Sequence, residues 1–311
     1  MFKKTRCLNS EARSSQEEYQ IIQGLRHKFG FKLTEILSYS SIKRSTFYHQ
    51  ANRTNDISVS ERKLIDEIKD IKSKHKDYGY RRVTDELYNR GFKVNHKHVL
   101  RIMQENDLLA EMYNKQTRKY NSSIGPQGKK AKNKIHRRFE SDRPYQKMTT
   151  DISEFRYGNE TIEERIYFSP IKDLHNNTIT AFAIGDHPTT ELVMEPLRKL
   201  IELRPSLEYR MTIHSDQGVQ YQTTQWRKTL KKHHIFQSMS RRGTCLDNAP
   251  MESFFHLMKT ELYYNRKFET KEELIEAMIE WIDYYNNERI QHNLKGKTPI
   301  EYRNLALEKV A

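Results

Sequence analysis

The chain has 311 residues, enough for two or three domains and a substantial buried core. Its 55 Lys and Arg against 41 Asp and Glu give a formal net charge of +14 and a pI near 9.5, spread along the chain. That balance favours a polyanionic partner, nucleic acid first, although a ribosomal or membrane-surface protein shares it. No run of eighteen apolar residues occurs, and the opening MFKKTRCLNSEARSS lacks the apolar core of a signal peptide, so a soluble, cytoplasmic protein is expected. Cys7 and Cys245 form no CxxC pair, and the His-rich spots at 96–98 and 233–234 have no matching cysteines, which argues against structural zinc.

In chain order, SQEEYQIIQGLRHKF carries apolar residues at helical spacing, and LTEILSYSSIKRSTFYHQ reads as two short helices joined by a turn. A helix-turn-helix would present Lys43 and Arg44, with Ser45 and Thr46, at the start of its second helix, where DNA-reading side chains stand. A plain helical hairpin has the same pattern. Ser60 is placed to cap a long amphipathic helix whose stripe is Leu64, Ile65, Ile68 and Ile71. Two further helices meet at RGFKV. The second would turn Val99, Ile102 and Met103 inward and expose Asn95, His96, Lys97, His98 and Arg101 to phosphate or base.

Residues 115–138 hold nine Lys or Arg and no acid, broken by Gly, Pro and Ser. This is a linker, and Lys129, Lys130, Lys132 and Lys134 are suited to a DNA backbone; a solvated run is the plain alternative. Beyond Glu140 the texture turns β-rich. KMTTDISEFRYG, ERIYFSPIKDL and TITAFAIGDHP predict three meandering strands, followed by helix TTELVMEPLRKLIEL, strand YRMTIHSD, helix TTQWRKTLKKHH, strand IFQSMS and a long helix from Asn248 to Arg266. The element order predicts a mixed five-stranded α/β sheet of the ribonuclease H-like kind. The expected divisions are a helix-turn-helix-like region at 1–56, a second helical DNA-binding unit at 57–112, a basic linker at 113–140, the core at 141–265 and a helical extension at 266–311.

In that order of elements Asp151 lies within the first strand and Asp216 ends the fourth, so neighbouring strands would bring the two together. Glu252, early in the long helix behind Pro250 with Asn248 as cap, is the third candidate. Three oxygen-rich side chains without cysteine suit hard cations such as Mg²⁺ or Mn²⁺. Asp247 reads as a loop or cap residue.

TTDISEF, HSDQGVQY, SMSRRGTCLDNAPMESFFHLMKTEL, YYNNERIQHNLKGKTPIEY and RIMQENDLL together resemble the second-reading-frame transposases of bacterial insertion-sequence family three, relatives of retroviral integrases. The resemblance covers essentially the whole chain. Asp216 and Glu252 leave 35 residues between them, the family's spacing, and Lys259 stands seven after the glutamate. Met148 replaces the Trp that the family often has near this position, which bears on packing and not on chemistry. No integrase-type zinc domain and no heptad leucine zipper precede the core, so the chain is expected to be one half of a frameshifted fusion.

The resemblance implies a metal-dependent polynucleotidyl transferase in which water, then a 3′ hydroxyl, attacks phosphorus in line, with two metal ions about 3.5 to 4 Å apart. Asp151 would lie between both ions, with Asp216 and Glu252 one on each side. Arg241 and Arg242, in a loop beside the site, and Lys259 would contact DNA. Implied partners are terminal repeats and target DNA, the upstream-frame product, and further copies of the chain, in a bacterial cell and at the nucleoid when DNA-bound. Other readings are a ribonuclease H-like nuclease without strand transfer, and a DNA-binding regulator of transposition.

Overall fold

A computed structural model describes residues 14–54, 59–110, 130–161, 163–206, 208–241, 244–264 and 266–308. The chain falls into two compact units, residues 1–73 and 74–311. Among the described residues no helix is long and apolar enough to cross a membrane.

The first unit holds α1 (Ser15–Phe29), α2 (Leu33–Leu37), α3 (Arg44–Thr54) and most of α4 (Val59–Lys74). α1 begins in a capping box: Ser14 Oγ accepts from Glu17 N, while the Glu17 carboxylate accepts from Ser14 N at 2.9 Å. It ends at Gly30, whose φ of 68° is the left-handed cap that glycine adopts without strain. Tyr19, Ile22, Ile36 and Phe47 form the apolar contact among α1, α2 and α3. α4 starts at Val59, one residue before Ser60, so the position expected to precede the helix falls within it.

In the second unit, α5 (Tyr80–Asn89) and α6 (His96–Glu105) pack through Val83, Leu87, Val99, Ile102 and Met103, all essentially inaccessible. α5 is docked on the C-terminal extension. The Tyr78 hydroxyl accepts from Ile290 N, Asn89 Nδ2 donates to Gly296 O at 3.0 Å, and Arg82 and Arg289 share the buried Glu261.

The sheet comprises β1 (Lys147–Thr150), β2 (Ser153–Arg156), β3 (Arg165–Asp173), β4 (Ile179–Gly185), β5 (Thr212–Ser215) and β6 (Phe236–Met239). β1 and β2 both run antiparallel to β3 in one unbroken register, with Thr150 opposite Ile171 and Ser153 opposite Phe168. They are two halves of a single strand whose pairing is interrupted at Asp151 and Ile152. Counted so, the sheet has the five expected positions, in the order β4, β3, β1, β5, β6, with β1, β5 and β6 parallel.

The pleat sends alternate side chains to opposite faces. Met148, Ile171, Ala181 and Ile213 meet α7 (Thr190–Leu203) and α8 (Thr224–Lys232), while Ile166, Phe168 and Phe155 meet α9 (Ala249–Met258) and α10 (Lys271–Asn287). Helices on both faces of this strand order make the ribonuclease H-like fold. The long helix expected to reach Arg266 leaves α geometry at Lys259, continuing as a π-helical turn over Lys259–Tyr263. α11 (Pro299–Glu308) closes the chain.

Candidate active site

Asp151 occupies the interruption between β1 and β2, and its Oδ1 accepts from Ile152 N at 2.8 Å. Freed from the ladder, this residue turns its carboxylate to the sheet edge where β5 ends. Asp216 directly follows β5, which lies parallel beside β1, and its Oδ1 accepts from Gly218 N at 2.8 Å. A Cβ on residue 218 would stand 2.9 Å from that oxygen and 3.0 Å from Gln220 Oε1, so a side chain there would displace the Asp216 carboxylate from its present position.

Burial, then the neighbouring Asp216 charge, then Glu252, push the Asp151 carboxyl well above the usual range; Ile152 N–H and Lys259 pull it back. Burial raises Asp216 as well, against the donated Gly218 N–H. Glu252 stands exposed in the first turn of α9, two residues after Pro250. The three carboxylates do not form a closed cage: among the described residues no group of three His, Cys, Asp or Glu side chains is gathered tightly enough to hold a metal ion. Their chemistry fits a hard divalent cation nonetheless. The donors are all oxygen, and the charge of Asp216 bears on Asp151 more strongly than that of Lys259.

Behind this edge lies a layer that sequence reasoning missed. Asn248 is buried and makes no capping bond to α9. Its Oδ1 accepts from Thr149 Oγ1 at 2.6 Å and its Nδ2 donates to Thr150 O at 3.3 Å, which ties the end of β1 to the start of the helix carrying Glu252. The Tyr221 hydroxyl, fully buried 3.4 Å from Thr150 Oγ1, is pushed well above its ordinary pKa by burial and by the charges of Asp151 and Asp216. The repeated threonines of TTD and the asparagine of DNA were the available signals, but their pairing spans about a hundred residues.

Asp247, read as a loop or cap residue, is a buried anchor. It accepts from Arg241 N, Nε and Nη2, from Arg137 Nε at 2.7 Å and from Asn133 Nδ2. Those donors, Arg241 foremost, hold its carboxyl far below the usual range. A relay of hydrogen bonds stands beside it. Lys134 N donates to Ser238 Oγ, and because the Asp247 carbonyl can only accept, His214 Nε2 must carry the proton that it receives, leaving Nδ1 to accept from Ser238. Burial lowers the His214 pKa, which suits a neutral ring.

The expected DNA contacts separate in the same way. Arg241, expected on phosphate, is turned to Asp247. Asn95 caps α6 by accepting from Lys97 N, and Arg101 pairs with Glu105 at 3.2 Å. Lys43, Arg44, Lys97 and Lys132 are exposed, with Arg44 over the Tyr48 ring. Lys130 is exposed, and Lys134 sits on Phe236. The linker past residue 129 is therefore laid along β6 and not left loose. Lys259 stands 5.0 Å from the Phe155 ring centre, its pKa lowered by burial and raised by Glu154 and Asp151. Lys129 and Arg242 lie outside the described residues.

An integrase core domain family matches residues 141–245, a second matches residues 252–307, and an HTH-like domain family matches residues 60–116. The InsK protein for insertion sequence element IS150 of Escherichia coli K12 is 38% identical over 276 residues, covering 88% of this chain and 94% of its own. Transposase InsF for insertion sequence IS3A, from the same organism, is 28% identical over 287 residues, covering 90% and 96%. The integrase catalytic core of HTLV-2, solved in complex with magnesium, is a more distant likeness, with a TM-score of 0.40 and 15% identity over 52% of this chain and 98% of that one.

Proposed function

We propose that this chain, which belongs to the second-reading-frame transposases of insertion-sequence family three, uses Asp151, Asp216 and Glu252 to hold two divalent ions, Mg²⁺ or Mn²⁺, while it cuts element ends and joins their 3′ ends to new DNA. As a transposase it acts on DNA, and members of its family normally work with divalent metal. The observation that carries the residue assignment is the interrupted strand: it sets Asp151 beside Asp216, and each carboxyl is shifted upward.

Bound there, divalent ions would supply an activated nucleophile and charge stabilisation at the leaving oxygen. Asp151, Asp216 and Glu252 would hold them, Glu252 from its exposed place in the first turn of α9. Asn248 holds the end of β1 against the start of that helix, so the carboxylates keep their spacing as charge gathers. Lys259, on the same side as Asp151, meets the phosphate or base nearest the reacting end. Lys43, Arg44, Lys97, Lys132 and Lys134 contribute backbone contacts, in company with Lys129 and Lys130. An element has two ends, each needing a core, so the acting species is an oligomer that includes the upstream-frame product.

The test is joining of a labelled terminal duplex to a plasmid in Mg²⁺. Asp151→Asn, Asp216→Asn and Glu252→Gln should each abolish cutting and joining while terminal-DNA binding stays within several-fold, since ligand charge is lost and docking surface is kept. Normal joining by any of the three removes that residue from the site.

A further inference from the structure

A cleft of about 580 Å³ lies on the edge of the core, between the docked linker, the start of β6 and α8. Lys130, Arg210, Arg227, Lys231, His234 and Phe236 line it, and among the described residues no acidic side chain does. Among the described residues Arg210, Arg227 and Lys231 have no carboxylate partner. Arg227 Nη2 reaches only Thr224 Oγ1, and its Nε is buried without a hydrogen-bond acceptor. Phe236 is approached by two cations, Lys134 Nζ at 3.8 Å and the Arg210 guanidinium at 5.3 Å from its ring centre. Among the described residues Arg210, Arg227 and Lys231 thus bring positive charge to the cleft with no carboxylate paired to any of the three.

We propose that this cleft is a second DNA-binding site, taking the phosphodiester backbone of a duplex. Its place is the opposite end of the parallel strands from the carboxylates, since Phe236 and Arg210 stand where β6 and β5 begin and Asp216 where β5 ends. A four-residue strand spans about 13 Å, so the cleft cannot hold the scissile phosphate and instead meets the backbone roughly four base pairs away. Phosphate is the group that fits. The exposed Arg210 offers its oxygens a forked donor, and Lys231 adds a point charge beside it. With two cations drawn to its ring, Phe236 fixes those cations in place of stacking on a base, which favours duplex over single strand. The inference rests on the chain acting on DNA and is independent of the metal assignment.

The test uses the full chain carrying Asp151→Asn, without divalent metal, and a long duplex of scrambled sequence. Arg210→Gln with Lys231→Gln, both at exposed positions, should lower the slope of log affinity against log salt by about 0.9 per phosphate contact, roughly 2 in all. Lys228→Gln with Lys232→Gln removes the same charge from exposed positions of α8 outside the cleft, and should change the slope much less. Equal falls for both pairs would reduce the effect to net charge and overturn the proposal, as would an unchanged slope. A fall confined to single-stranded DNA would overturn the duplex assignment. Loss of joining by the carboxylate variants has no bearing on these slopes, so the two readings fail separately.

Discussion

Asp151 with Asp216, and Asp247, are acids of one sheet domain in opposite conditions. Asp247 is fully enclosed, yet Arg241, Arg137 and Asn133 saturate its oxygens and hold its carboxyl ionised. Asp151 and Asp216 receive one backbone N–H each, repel one another, and are pushed toward the protonated form. Burial alone does not distinguish a ligand from an anchor; the supply of donors does. A carboxylate whose lone pairs are already taken fixes a loop, and one left short of cations is prepared to receive them.

The contrast is tested most strongly at the anchor. Asp247→Asn keeps the shape but removes the charge that three side chains and a backbone N–H address, and should cost about 2 kcal/mol in urea unfolding. The sign with pH follows from a depressed folded-state pKa: the stabilisation is present above the unfolded value near 3.9 and fades as pH falls below it, so the cost should shrink in acid. A cost that is flat with pH would mean that Asp247 acts by shape alone. The next effect is at Asn248, which joins the two regions. Asn248→Ala should cost about 1 to 2 kcal/mol and raise the Mn²⁺ concentration for half-maximal cutting, with the rate at saturating metal largely kept. A fall in rate without a change in metal requirement would show that Asn248 does not position the ligands.

The sequence displayed the unsaturated region better than the saturated one. The helices of the first unit, the strands and the pairing of Asp151 with Asp216 were legible because periodicity, caps and element order are local signals. The interruption at Asp151 was not, since aspartate only weakly disfavours a strand and the loss of pairing is to β3, a distant partner. Asn248 stands where a helix cap belongs, directly before Ala249 and Pro250, and its diversion to Thr149 and Thr150 is decided by a strand about a hundred residues earlier. Arg241 shows the same limit. An arginine in a loop beside the site suits phosphate, but Asp247 lies six residues on and presents both oxygens. The π-helical turn at Lys259 has no local cue either; its Glu261 is held by Arg82 and Arg289, from far along the chain in both directions.

The smallest expected effect tests the unsaturated pair itself, in the absence of metal. Because the folded state raises both carboxyl pKa values, it binds protons more readily than the unfolded chain, and stability falls as pH rises from about 3.9 through the folded values. Removing one charge should relieve that repulsion. At neutral pH, metal-free Asp216→Asn should therefore be more stable than the wild type, on the order of 1 kcal/mol. The advantage should close as the pH is lowered toward 4, where the wild-type carboxyls protonate, which is the reverse of the trend at Asp247. Added Mn²⁺ should reverse the neutral-pH order, because binding to the folded wild type stabilises it in proportion to the logarithm of occupancy, and the variant has lost a ligand. Thermal unfolding with and without Mn²⁺ at two pH values measures all of this. A wild type that is more stable than Asp216→Asn without metal, and indifferent to Mn²⁺, would show that Asp216 is satisfied within the fold as Asp247 is, and would remove the physical basis for placing a cation beside it.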